Sequence, residues 1–106
     1  MNNITVEELH KRKENGENPF LLDVRELFEY DIANLEGEII PLGELEFRLY
    51  EIEDRKEEEI IVYCRTGSRS TTACDLLQSN GFSNVRNLDG GINEWAQKID
   101  PTMPVY

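Results

Sequence analysis

The sequence predicts an α/β domain with helices on both faces of a central, mainly parallel β-sheet. Three observations predict it. Short β-branched or apolar runs alternate along the chain with segments of helical periodicity, as in βαβ units. Those runs are brief and bounded by Pro, Gly or charge, like strands buried on both faces. The chain has 106 residues, which fits one domain over 1–106, since domains hold roughly 100–150 residues.

The elements follow in order. Thr5-Val6-Glu7-Glu8 has capping-box spacing, so a helix starts at Val6, runs to about Asn15 and stops at Gly16. Phe20–Val24, set between Pro19 and Arg25-Glu26, reads as a buried strand. Glu26–Ile32 is a short helix, and Gly37–Pro41 a turn with an extended piece. Leu42, Leu45, Leu49 and Ile52 recur at helical spacing, which predicts a longer helix over Leu42–Glu53. The charge run Glu51–Glu59 is a solvated helix end and loop.

Ile60–Tyr63 is the clearest strand, and it ends abruptly at Cys64. Arg65–Ser68 forms a tight loop in which Gly67 is free to take unusual dihedrals. Ser70–Ser79 is helical, with Ala73, Cys74, Leu76 and Leu77 on its apolar side and Gly81 as its stop. Val85–Leu88 is a further strand. Asp89-Gly90-Gly91 is a turn, and Ile92–Ile99 a last helix carrying Trp95. The tail, with Pro101 and Pro104, packs as an irregular strap.

Composition narrows the function. Hydrophobic residues make up 39% and charged residues 31%, a balance that argues against wholesale disorder. The longest apolar runs fall far short of the roughly 20 residues of a membrane helix, so no membrane role is expected. No secretory signal pattern opens the chain, which makes a cytoplasmic location the default expectation. Eleven basic against twenty-two acidic residues give −11, too few cations for a nucleic-acid face. A small anionic substrate would therefore need a local positive pocket. Cys64 and Cys74 do not have the spacing of zinc-binding pairs, and His10 is the one histidine. No metal or other cofactor is expected.

Ligands of parallel sheets bind beyond the carboxyl ends of strands. Two polar clusters fall there: Asp23 with Arg25, and Cys64-Arg65-Thr66-Gly67-Ser68-Arg69-Ser70. In the second, a curled loop would turn successive N–H groups inward as an anion nest, and the next helix would add its positive end. A cysteine at the base of that nest, flanked by Arg65 and Arg69, is expected to be a thiolate nucleophile. The same donors would hold an anion built on the sulfur, such as a persulfide. Cys74 shares an apolar helix face and reads as core. So do Trp95 and Tyr63, while His10 lies on a surface helix.

Taken together, these segments resemble a single-domain rhodanese, a sulfurtransferase domain, over nearly the whole chain. Leu22-Asp23-Val24-Arg25-Glu26 with Glu29-Tyr30 is similar to the family's first strand and acidic-aromatic segment. Ile61–Ser70 is similar to its active-site loop. Gly81–Val85 and Leu88–Ile92 through Trp95 are similar to its C-terminal signature. One departure stands out. The family's His-Ile-Pro-Gly-Ala pattern is replaced by Asn34–Leu42, which lacks the histidine. This form is similar to rhodanese domains fused to ubiquitin-activating-like enzymes, and implies a sulfur-relay role.

The resemblance implies the three-layer rhodanese-like fold and a mechanism. Cys64 takes the outer sulfur of a small anionic donor such as thiosulfate, or of a persulfide, and passes it to a thiol or protein acceptor. Arg65 and Arg69 attract the donor, and the backbone of Thr66, Gly67 and Ser68 cradles the persulfide. Arg69 alternatively shapes the loop by bonding a carboxylate. Asp23 and Arg25, with Ser70, are expected as support for the loop, or Arg25 as a second cation near its mouth.

Two other readings are open. Cysteine phosphatases and arsenate reductases use Cys-x5-Arg, whereas here Arg69 falls one place too early and Ser70 holds that position. A non-catalytic rhodanese-like binding module would show an ordinary, slow thiol.

Overall fold

The computed structural model describes residues 2–106. Four strands, β1 (Phe20–Asp23), β2 (Glu38–Ile39), β3 (Glu59–Tyr63) and β4 (Asn84–Asn87), pair in the order β2-β1-β3-β4, and every pairing is parallel. Ile4 extends the far edge through a parallel bridge to Leu88. The helices are α1 (Val6–Glu14), α2 (Leu27–Ile32), α3 (Leu42–Arg48), α4 (Ser68–Ser79) and α5 (Gly91–Lys98).

The two-residue period of β3 sorts the core into two layers. Ile60, Val62 and Cys64 point to one face, where they pack with Leu45 of α3 and with Ala73, Cys74 and Leu77 of α4. Ile61 and Tyr63 point to the other, against Val6 and Leu9 of α1 and Ile92 and Trp95 of α5. Tyr63 and Trp95 are therefore core residues, as expected. The tail straps the α1/α5 face, where Met103 and Tyr106 pack against the second layer.

Local signals account for most boundaries. Thr5 Oγ1 accepts from the Glu8 amide at 3.1 Å and caps α1. Glu26 and Glu29 form a reciprocal capping box on α2. Most boundaries shift by a residue, and two differences from expectation are larger. The helix predicted over Leu42–Glu53 breaks: α3 ends at Arg48, and residues Leu49–Arg55 form 3-10 turns with a non-helical kink at Ile52. Leu45 and Ile52 are both fully buried in one core layer, so the apolar side chains lie where the spacing predicts although the helix does not run unbroken between them. α4 begins at Ser68 rather than Ser70, which places Arg69 in its first turn.

Candidate active site

The strand order sends the chain leaving β1 to one side of the sheet and the chain leaving β3 to the other. Diverging connections open a crevice at the carboxyl ends of the two strands. Asp23 ends β1, Cys64 follows β3, and Asn87 ends β4 on the far side of β3. Topology thus brings three strand ends that lie apart in sequence to one edge of the sheet, with Asp23 on the Tyr63 face and Cys64 on the other.

The loop from Cys64 to Ser70 curls over its own cysteine. Gly67 adopts φ +113°, a conformation that favours glycine. Its amide donates to Cys64 Sγ at 3.1 Å, and the Ser70 amide donates to the same atom at 3.4 Å. Ser70 Oγ lies 3.4 Å from the sulfur. The Thr66 and Ser68 amides have no protein acceptor among the described residues. Hydrogen bonds to an anion are roughly twice as strong as neutral ones, so a cup of such donors suits an anion seated above the sulfur. Cys64 is 1% exposed; the sulfur lies at the base of the cup.

Two neighbours brace the loop from β4 and α5. Asn87 accepts from Ser70 Oγ in a short hydrogen bond, and its amide donates to Thr71 Oγ1 at 3.2 Å. The Ile92 and Asn93 amides at the start of α5 donate to the carbonyls of Cys64 and Arg65, at 2.9 and 3.1 Å. Gly91 makes that approach possible. At φ +64°, a Cβ there would stand 2.5 Å from both carbonyl oxygens. Gly91→Ala is therefore expected to cost about 2–4 kcal/mol from strain and overpacking. It should also slow alkylation of Cys64; a thermal melt and a labelling time course check both.

The arginines divide in a way the sequence left open. Arg69 makes a two-pronged ion pair with Glu29 of α2, at 2.7 and 2.8 Å. Glu29 is 5% exposed. The Arg69 bond is the chief reason its carboxyl sits at about 2, well below the usual range. A carboxyl that binds its proton less tightly when folded contributes stability that is complete above its unfolded value of 4.5 and is lost as pH falls toward 2. The clamp is thus closed throughout the neutral range. Arg65 is exposed and has no ion-pair partner among the described residues. Its guanidinium lies 4.9 Å from the centroid of the Tyr106 ring.

Asp23 and Arg25 are both fully buried and paired at 2.7 Å. Arg25 is accordingly not a cation at the mouth. It also donates to Glu29 O, Ala33 O and Tyr106 Oη at 3.2, 2.8 and 2.7 Å. These bonds pin α2 to β1, and α2 in turn presents Glu29 to Arg69. Charges cancel pairwise, Asp23 with Arg25 and Glu29 with Arg69, which leaves Arg65 as the loop's uncompensated cation in a chain of net charge −11.

Cys74 is fully buried in the α3/α4 layer, and burial pushes its thiol up to about 12. His10 packs edge-on against Trp95 at 5.8 Å, in the opposite layer from Cys64. No group of three or more His, Cys, Asp or Glu among the described residues is placed to hold a metal. An open cavity of about 700 Å³ lies among Lys13, Phe20, Gly37 and Arg55 and includes no residue of the Cys64 loop; its lining mixes charges of both signs.

Glu29, Asn87, Gly91 and Tyr106 are the residues around the loop to which sequence reasoning assigned no role in it. Glu29 carried a faint signal, its capping-box spacing from Glu26. Asn87 carried none beyond lying inside the predicted strand Val85–Leu88. Tyr106 carried none.

The chain matches the rhodanese-like domain family over residues 5–98. It is 38% identical over 109 residues to the adenylyltransferase and sulfurtransferase MOCS3-2 of Zea mays, covering 97% of this chain and 23% of that protein. It is 35% identical over 98 residues to the putative sulfur carrier protein YrkF of Bacillus subtilis, covering 92% and 52%. The chain therefore spans a quarter to a half of the length of these two relatives. It is 36% identical over 106 residues to a putative mitochondrial thiosulfate sulfurtransferase of Schizosaccharomyces pombe, covering 89% and 75%. Among solved structures, a human single-domain sulfurtransferase superposes with TM-score 0.78 at 26% identity, covering 92% of this chain and 97% of that one. A rhodanese-related protein of Thermoplasma volcanium gives 0.80 at 27% identity, covering 93% and 94%.

Proposed function

This chain belongs to the rhodanese-like family of sulfurtransferase domains, and from that membership we propose that it carries sulfane sulfur as a persulfide on Cys64. The cup of amides on Cys64 Sγ is the observation that carries this reading. The Cys64 thiolate attacks the outer sulfur of thiosulfate. A new S–S bond forms on Cys64, the old S–S bond breaks, and sulfite leaves with the electron pair. A nucleophilic acceptor, a thiol or a carrier protein, then attacks the outer sulfur, and the Cys64 thiolate is the leaving group. In this reading the amides of Thr66 and Ser68, which bond no protein acceptor among the described residues, receive the negative outer sulfur.

Arg65 steers the anionic donor, and Arg69 shapes the loop. The two roles separate kinetically. Arg65→Ala should raise KM for thiosulfate by roughly tenfold with kcat largely kept, since one charged contact is worth about 1.5–3 kcal/mol. Arg69→Ala should lower kcat as well, because Glu29 loses its partner and the loop its clamp. Equal KM effects with kcat unchanged in both variants would contradict this division.

The direct test is intact mass of the wild-type protein after incubation with thiosulfate, without reductant. One added sulfur atom, removed by cyanide, is the expected result. No adduct from thiosulfate or from a persulfide donor, together with slow alkylation of Cys64, would favour a binding module. The phosphatase reading has less support: the residue in its arginine position is Ser70, fully buried and bonded to Asn87.

A further inference from the structure

We infer that Tyr106, in the C-terminal strap, is a positioning residue for Arg65 and thereby sets how strongly the Cys64 loop favours anionic reagents. The inference rests on the sulfur-transfer reading for its biological meaning, and on geometry for its content. Among the described residues Arg65 is the loop's unpaired cation, on an exposed side chain. Its guanidinium lies 4.9 Å from the Tyr106 ring centroid, within cation–π range. The ring is itself held. Its hydroxyl accepts from buried Arg25 at 2.7 Å and donates to Glu29 Oε1 at 2.9 Å. Arg25 lies 5.9 Å from the same centroid. Tyr106 thus connects the buried Asp23–Arg25 pair to the exposed cation.

This arrangement matters because a tethered cation loses less entropy when it meets an anion than a free one does. An untethered Arg65 would spend part of its time in solvent or beside the surrounding carboxylates. The strap converts a surface charge into a fixed one on the loop that carries Cys64. Tyr106 touches no reacting atom in this scheme; it acts through Arg65.

The test compares alkylation of Cys64 by iodoacetate, an anion, and iodoacetamide, which is neutral but of the same shape. The rates are read by peptide mass, so that buried Cys74 does not contribute. Tyr106→Ala is expected to lower the iodoacetate/iodoacetamide rate ratio by roughly two- to fivefold, the worth of an exposed cation–π contact. Tyr106→Phe keeps the ring and should fall by less. Arg65→Ala should lower the ratio further, and adding Tyr106→Ala to it should change nothing more. An unchanged ratio in Tyr106→Ala, or an undiminished Tyr106 effect without Arg65, would overturn the inference. Should Tyr106→Ala fail to fold, Tyr106→Leu keeps the bulk, removes the ring and reads the same quantity. Sulfur loading of the wild type, measured alongside, separates the two hypotheses. Loading with an unchanged ratio defeats the role of Tyr106 alone. A falling ratio without loading defeats sulfur transfer alone.

Discussion

Cys64→Ser is expected to take up no sulfur from thiosulfate and to lose at least about a thousandfold in transfer rate. The reason is chemical rather than structural. A serine hydroxyl fills nearly the same space beneath the Gly67 and Ser70 amides, so the fold should survive. Its proton, however, is far harder to remove than that of a thiol, and oxygen forms no stable persulfide equivalent. Cys74→Ser is the control. That thiol is buried in the α3/α4 layer, and its ionisation is suppressed to about 12, so transfer should be mostly intact. Intact mass and cyanide discharge read both variants. Full turnover by Cys64→Ser would remove the nucleophile from the mechanism and the mechanism with it.

Arg25→Met is expected to destabilise the fold by about 3–5 kcal/mol, because it leaves Asp23 as a buried charge without a partner. For a domain of this length, that corresponds to a fall in Tm on the order of 15–30 °C. The loss would be felt at the site as well. Without Arg25, the carbonyls of Glu29 and Ala33 lose their donor and α2 its tie to β1, so Glu29 no longer meets Arg69 in register. Exchanging both partners for apolar residues, Asp23→Leu with Arg25→Met, should recover part of the stability, since no charge then stays buried alone. Thermal and urea denaturation decide the point. A loss under about 1 kcal/mol in Arg25→Met would mean that Asp23 finds another partner or water.

The proposed nucleophile, Cys64, could be singled out in the sequence because everything that marks it is local. Ile60–Tyr63 announces a buried strand, Gly67 a turn, and Ser70–Ser79 a helix. A cysteine at that junction, with basic neighbours, has few other uses. The parallel sheet was legible for a similar reason, since alternating strands and helices leave little choice of architecture. The break of the predicted Leu42–Glu53 helix was not. Its apolar spacing suits a helix and puts Leu45 and Ile52 on one face, where both are buried, but nothing in that spacing marks the end of α3 at Arg48 or the kink at Ile52.

The class of fold, the cysteine at the strand–helix junction and the sign of the charge beside it in the loop all follow from the sequence. Composition and short-range spacing carry those properties, and neither depends on where distant residues land. Only the tertiary structure decided which arginine is free. Arg65 and Arg69 look equivalent in the chain, four positions apart on either side of Gly67. Folding brings Glu29, forty residues upstream of Arg69, against one of them, and the ring of Tyr106 against the other. An ion pair cancels the first charge, while an aromatic face holds the second in place without cancelling it. That difference arises from contacts across the sheet's carboxyl end, and no local pattern encodes it.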